Sequence, residues 1–196
     1  MLRSNVDRLA ASFGVTPPKL YLVDDLFPRA FVVGRGPRSS TLAVSTGLLG
    51  ALSPDELSGL LAHELAHVRT RDVLTQTFAV LFAAMLVESS RIGGWFSRAL
   101  LYVLAPIGAA FVHLTLSQKR ESRADRLAAD VTGDPLAVAA ALTRLDRASE
   151  LVEFAASPAT SPLYAVDPFD DSRLARMYRT HPPLDKRLAA LGSLAL

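Results

Sequence analysis

The chain has no cysteine among its 196 residues, which excludes disulfides, thiolate zinc sites and a cysteine nucleophile. That absence is compatible with either redox compartment. Charge is also scarce: 20% of residues are charged and the formal net charge is +2. No run of Lys or Arg is interleaved with aromatics, so nucleic acid is not an expected partner. The N-terminal MLRSNVDRLAASFG is amphipathic and has no apolar core behind a basic start, unlike a secretory signal. What is plentiful is apolar side chain, at 50% of residues. A chain of this length can bury a core of its own, so one domain is expected.

Local signals divide that domain into three parts: residues 1–72 with a small sheet and a helix, 73–117 with an apolar helical hairpin, and 118–196 with further helices. Ser4 to Phe13 reads as a short helix with Val6, Leu9, Ala10 and Phe13 on one face, stopped by Gly14. Three β-rich runs, Lys19–Val23, Ala30–Val33 and Thr41–Ser45, are separated by turn residues and suggest a small antiparallel sheet. Ser53-Pro54-Asp55-Glu56 is a helix start with a capping box, and that helix should run to about Arg71. A helix through QKRESRADRLAAD should continue straight out of the second apolar stretch. Others are expected from Asp134-Pro135, after Ser172 and over Leu184–Leu191, with a proline-bearing loop at Ser157–Asp171.

His63-Glu64-Leu65-Ala66-His67 lies within the capped helix. Residues four apart share a helical face, so both imidazoles can address one ion, the spacing used by zinc sites. Glu64 projects beside that ion, placed to take a proton from the attacking water and pass it to the leaving amine. The flanking residues are apolar, and two histidines and a glutamate buried among them need the compensation a metal provides. Catalytic zinc takes three protein ligands. Glu121 and Asp125, also four apart, can serve as third ligand and as the carboxylate that orients a ligand histidine. The competing reading is a solvated charged turn among Lys119, Arg120, Arg123 and Arg126. His181, stiffened by two following prolines, is either a donor to a developing oxyanion or an ordinary packing histidine, and Arg187 can act similarly. His113, inside an apolar stretch, reads as a packed or interface residue.

HELAH, then two apolar segments, then SQKRESRADRLAAD from Ser117 and THPPLDKRLAAL from Thr180, resembles the HtpX-like membrane zinc metallopeptidases. That family also contains the CaaX prenyl protease and mitochondrial quality-control relatives. STGLLGALSPDELSGLLAHELAHV from Ser45 is similar to its approach to the metal helix. The likeness covers about Val15 to Leu191. It implies a mainly α, zincin-like peptidase with a small antiparallel sheet and one Zn2+ per chain held by His63, His67 and Glu121. It also implies Glu64 and His181 as catalytic groups and Asp125 as the supporting carboxylate. The implied function is cleavage of membrane or misfolded polypeptides in quality control. The competing functions are a non-catalytic metal-binding scaffold and a zinc hydrolase of small molecules.

Two features depart from the family. Arg29-Ala30-Phe31-Val32 stands where relatives have Asn-Ala-Phe-Ala, in a strand whose edge pairs with substrate backbone. Extra transmembrane helices commonly precede the catalytic part, whereas this chain starts at the amphipathic helix, as a compact variant or a truncated product would. The apolar stretches Val73–Val87 and Leu100–Leu116 sit at or below the length of about 17–25 residues that spans a bilayer. They form either a membrane hairpin or long buried helices. The resemblance favours a multi-pass protein of the cell membrane. Basic residues at the outer ends of the stretches place the active site on the cytoplasmic side.

Overall fold

A computed structural model of the chain describes residues 1–91, 96–115, 118–151, 160, 163–166 and 181–195. The Gly93-Gly94 turn, the helix start at Ser172, Thr180 and most of the expected proline-bearing loop lie outside the described residues. Helix α1 (Leu2–Phe13) buries Val6, Leu9, Ala10 and Phe13 and ends at Gly14 in the left-handed conformation. It begins two residues ahead of the expected Ser4.

Strands β1 (Lys19–Val23), β2 (Ala30–Gly36) and β3 (Ser39–Ser45) follow. Their sheet is mixed, not antiparallel: the order is β1-β3-β2, with β3 parallel to β1 and antiparallel to β2. The reason lies in burial. Leu42 to Ser45 are all buried, as in a strand covered on both faces, whereas β1 has no buried residue. The strand with two apolar faces takes the centre. Residues 24–29 must then cross the end of β3, where Asp25 O accepts from Gly47 N. The crossing is so close that a Cβ on Gly47 would lie 2.0 Å from Leu26 O. Gly47 sits in α2 (Thr46–Ala51), a short helix that the sequence reading left out. Ser45 caps it by accepting from Leu48 N.

Helix α3 (Pro54–Arg69) carries the full capping box between Ser53 and Glu56, and every residue from Gly59 to Val68 is buried. A helix apolar all round belongs at the centre of a fold. Here α1, β2, α6 (Gln118–Thr132) and α7 (Pro135–Leu151) pack around it. Ala124, Ala128 and Ala129 of α6 are buried in this core, as are Val138, Ala141 and Leu142 of α7. The last helix, α8 (Leu184–Gly192), rests on α6 and α7.

Helices α4 (Asp72–Arg91) and α5 (Ser97–Thr115) pack against each other, and α4 also runs along β2, where Gly34 N donates to Thr77 Oγ1. Arg71, at φ 62°, turns the chain between α3 and α4. Small residues fill their contact, with Ala79, Ala83, Val87, Ala109 and Val112 forming a second core. The large apolar side chains face outward: Phe78, Leu81, Met85, Tyr102, Val103 and Ile107 are all at least half exposed. Among the described residues α4 is long and apolar enough to cross a membrane, with a mean hydropathy of 1.3 over Asp72–Ser89. α5 meets that test only jointly with α6, at a bend of 49°. The straight continuation from α5 into α6 is therefore not found. α5 follows α4, while α6 must lie along α3, and one straight helix cannot do both.

The crossing over α2 can be tested directly. Gly47→Ala is expected to destabilise the fold by about 1–3 kcal/mol, because backbone must move to admit the methyl. Gly50→Ala in the same helix meets nothing within 4 Å and should be neutral or stabilising by up to about 1 kcal/mol. Thermal melts of the two variants decide it.

Candidate metal centre

The buried face of α3 presents His63 and His67, and α6 lays the first-turn residue Glu121 against them. The two imidazole Nε2 atoms are 3.3 Å apart. Glu121 Oε2 is 3.6 Å from His63 Nε2, and Oε1 is 3.6 Å from His67 Nε2. The three donor atoms lie within 4.8 Å of one another. Donors placed about 2.0–2.2 Å from a tetrahedral ion are about 3.3–3.6 Å apart, so the spacing suits zinc. Chemistry agrees with geometry. Glu121 Oε2 is buried without a hydrogen-bond partner among the described residues, and two imidazole nitrogens face each other beside it. A cation between them satisfies all three.

The groups behind the donors are carboxylates. Asp125 Oδ1 is 2.9 Å from His63 Nδ1, close enough to keep the proton there and leave the Nε2 lone pair facing Glu121. Arg187 holds Asp125 in turn: its Nε donates to Oδ2 and its Nη2 to Oδ1, both at 2.7 Å, and its Nη1 donates to Ala165 O. Arg187 is therefore engaged from behind the centre and does not take the oxyanion role offered by the sequence. His181 Nε2 is 3.6 Å from Glu121 Oε2, so it reaches the same centre from the segment ahead of α8. His113 is exposed on α5. Asp72, with Oδ2 3.9 Å from His67 Nδ1, was missed by the sequence reading. Its position just after the metal helix, at the head of an apolar stretch, was the available signal.

Burial sets the electrostatics. It pushes the His63 imidazole down despite nearby Asp125. His67 is also desolvated, but the charge of Glu121 and the Asp72 carboxylate outweigh that and raise it. Desolvation opposes the charge on Glu121, yet His181, His67 and His63 hold it below the ordinary range. Asp125 behaves likewise, held low by hydrogen bonds from Arg187 and His63. Glu64 is different. Buried, with the Glu121 charge nearby, it is pushed up to about 8, even though the Val32 backbone supplies a hydrogen bond to its carboxylate. A cation held by the neighbouring donors would stabilise the Glu64 carboxylate and draw that value back down.

Comparison with known proteins comes to the same place. The model of peptidase family M48 matches residues 1–195. The chain is 39% identical to a protease HtpX homolog of Acidiphilium cryptum, over 99% of this chain and 74% of that protein. A protease HtpX homolog of Pyrococcus abyssi is 36% identical over 97% of this chain and 72% of its own length. The crystal structure of Ste24p from S. mikatae shares the fold, with a TM-score of 0.53 and 19% identity, over 97% of this chain and 49% of that one.

The Glu64 carboxyl provides a pH test on metal-free protein. The unfolded chain sheds this proton near the ordinary glutamate value of 4.5, whereas the fold retains it to about 8. Between those values the folded state binds the extra proton, so this group makes stability fall as pH rises. Glu64→Gln removes the penalty. In chelator-treated protein the variant's melting temperature should gain on wild type steadily across that window. A difference that is constant with pH would contradict it.

Proposed function

The chain belongs to peptidase family M48, and on that footing we propose that it is a zinc-dependent endopeptidase. The observation that carries this reading is the convergence of the His63, His67 and Glu121 donors beside the buried Glu64. A zinc ion held by those three would supply Lewis acidity to a peptide carbonyl and to water. Glu64 takes the proton from the attacking water and returns it to the leaving nitrogen. His181 donates a hydrogen bond to the oxygen on which charge develops. Asp125 keeps the His63 proton on Nδ1, and Arg187 keeps Asp125 charged.

Polypeptide is the substrate favoured over a small molecule because of β2. Among the described residues it is an edge strand, with β3 as its one strand partner. Ser45 N donates to Arg29 O, so Arg29, Phe31 and Val33 address β3 while Ala30 and Val32 address the other side, which α4 closes only from Gly34, whose N–H donates to Thr77 Oγ1. Val32 meets Glu64 there. A peptide added as a further strand lies alongside the catalytic carboxylate. Arg29, which replaces the family asparagine, is ion-paired with Asp25 at 2.5 Å, so backbone pairing and not this side chain supports the substrate.

The helical pair supports a membrane location. Small residues between α4 and α5 and large apolar ones outside are the arrangement of helices packed in lipid. His67 precedes the pair and Glu121 follows it, so the chain must return to the side it left: both helices span or neither does. The basic residues Arg69, Arg71, Lys119, Arg120, Arg123 and Arg126 lie at the ligand end, an excess that favours the cytoplasmic face for the centre. Membrane or misfolded proteins presented there, as in quality control, are the substrates this position suits.

Cleavage of an unfolded protein by the purified chain should stop on chelation and return with zinc. Glu64→Gln should abolish cleavage while zinc content holds. His181→Ala should lower kcat with zinc content unchanged. Wild-type turnover by Glu64→Gln would reject the role of Glu64, and loss of zinc from His181→Ala would make His181 a ligand.

Topology is tested with Gly94→Cys, the sole thiol in the chain. Labelling by an impermeant reagent from outside intact cells is expected. Recovery of the protein in the soluble fraction without detergent would reject the hairpin.

A further inference from the structure

Glu121 is buried, yet it sits where the fold holds it least firmly. It is in the first turn of α6, and helix ends fray. The chain reaches it only after the whole α4–α5 excursion. Downstream, Ala124 and Asp125 anchor α6 to the core. Upstream, the anchor is the residue next to the ligand. Arg120 Nε donates to Asp72 Oδ1 at 2.8 Å, its Nη2 is 2.8 Å from the same oxygen, and Nη2 donates to the Asp72 backbone carbonyl at 3.3 Å. These contacts join positions 48 residues apart. The other oxygen of the same carboxylate accepts from Thr70 Oγ1 at 2.6 Å and faces His67 Nδ1 at 3.9 Å.

We propose that Arg120 and Asp72 form a positioning clasp, which ties the two ends of the apolar helical excursion together and thereby holds Glu121 opposite His67. The inference rests on the metal-centre reading above. One carboxylate lies between the two sides: Oδ1 takes Arg120, next to Glu121, while Oδ2 takes Thr70 Oγ1 and faces His67 Nδ1 at 3.9 Å. Arg120 suits the task because its fork meets a carboxylate and a carbonyl at once, which a lysine ammonium does less well. Both side chains are largely shielded, with relative exposures of 19% and 18%, so water screens the pair less than an open surface pair. Closing the loop here also opposes the entropy of the long connection between ligands.

Zinc affinity of the full chain, measured by chelator competition in detergent, tests the clasp without reference to activity. Asp72→Asn and Arg120→Gln are each expected to weaken zinc binding by roughly 10–100-fold, the usual effect of removing a residue that orients a ligand. The double variant should lose no more than the larger single loss, because either change opens the same clasp. Arg120→Lys should recover part of the affinity. Asp72→Asn is nearly isosteric and keeps a hydrogen-bonding oxygen, so a folded variant is available even if Arg120→Gln is unstable. Wild-type affinity in Asp72→Asn overturns the clasp, and so does a lowered melting temperature of the metal-free variant without any loss of affinity. Multiplicative losses in the double variant overturn it as well. A wild-type chain that binds no zinc instead removes the metal-centre reading on which the inference stands.

Discussion

Everything in this fold answers to one electrostatic constraint. Two histidines and a glutamate meet on the buried face of the central helix, where water cannot compensate them. Their donor atoms are spaced as a tetrahedral ion requires, and Glu121 Oε2 has no hydrogen-bond partner among the described residues. A cation resolves that conflict, and the surroundings are arranged to keep the donors pointed at it. Asp125 fixes His63 from behind and is itself held by Arg187. The cost of burying so many charges is offset by pairing each with another.

The second constraint is connectivity. The donors on α3 and α6 are separated in sequence by α4 and α5, which pack through alanines and turn their bulky side chains outward. Such a pair would expose a large apolar surface in water, whereas lipid accepts it. The chain must come back to the point it left, and the Asp72–Arg120 contact marks that return. The apolar helical pair and the donor cluster therefore share a boundary, and a peptide on the β2 edge would meet the donors close to it.

Much of this was legible in the sequence because it is local. The four-residue spacings His63–His67 and Glu121–Asp125 become shared faces as soon as the helices form. The capping box at Ser53 set the start of α3, and the apolar spacing in α1 identified all four of its buried residues. What was not legible depends on contacts far apart in the chain. Strand order follows from which strand is covered on both faces, so the expected antiparallel sheet became a mixed one. Arg187 looked available to substrate because nothing local shows that Asp125, 62 residues away, takes both ends of its fork. The 49° angle between α5 and α6 likewise reflects two packing partners, α4 for one and α3 for the other.

The central claim is that His63, His67 and Glu121 bind one zinc ion. Anomalous diffraction at the zinc edge from crystals of the zinc-loaded protein tests it most directly. The account predicts a single strong scatterer about 2 Å from Nε2 of both histidines and from the Glu121 carboxylate. A scatterer bound elsewhere, or one at the histidines with Glu121 turned away, would contradict it.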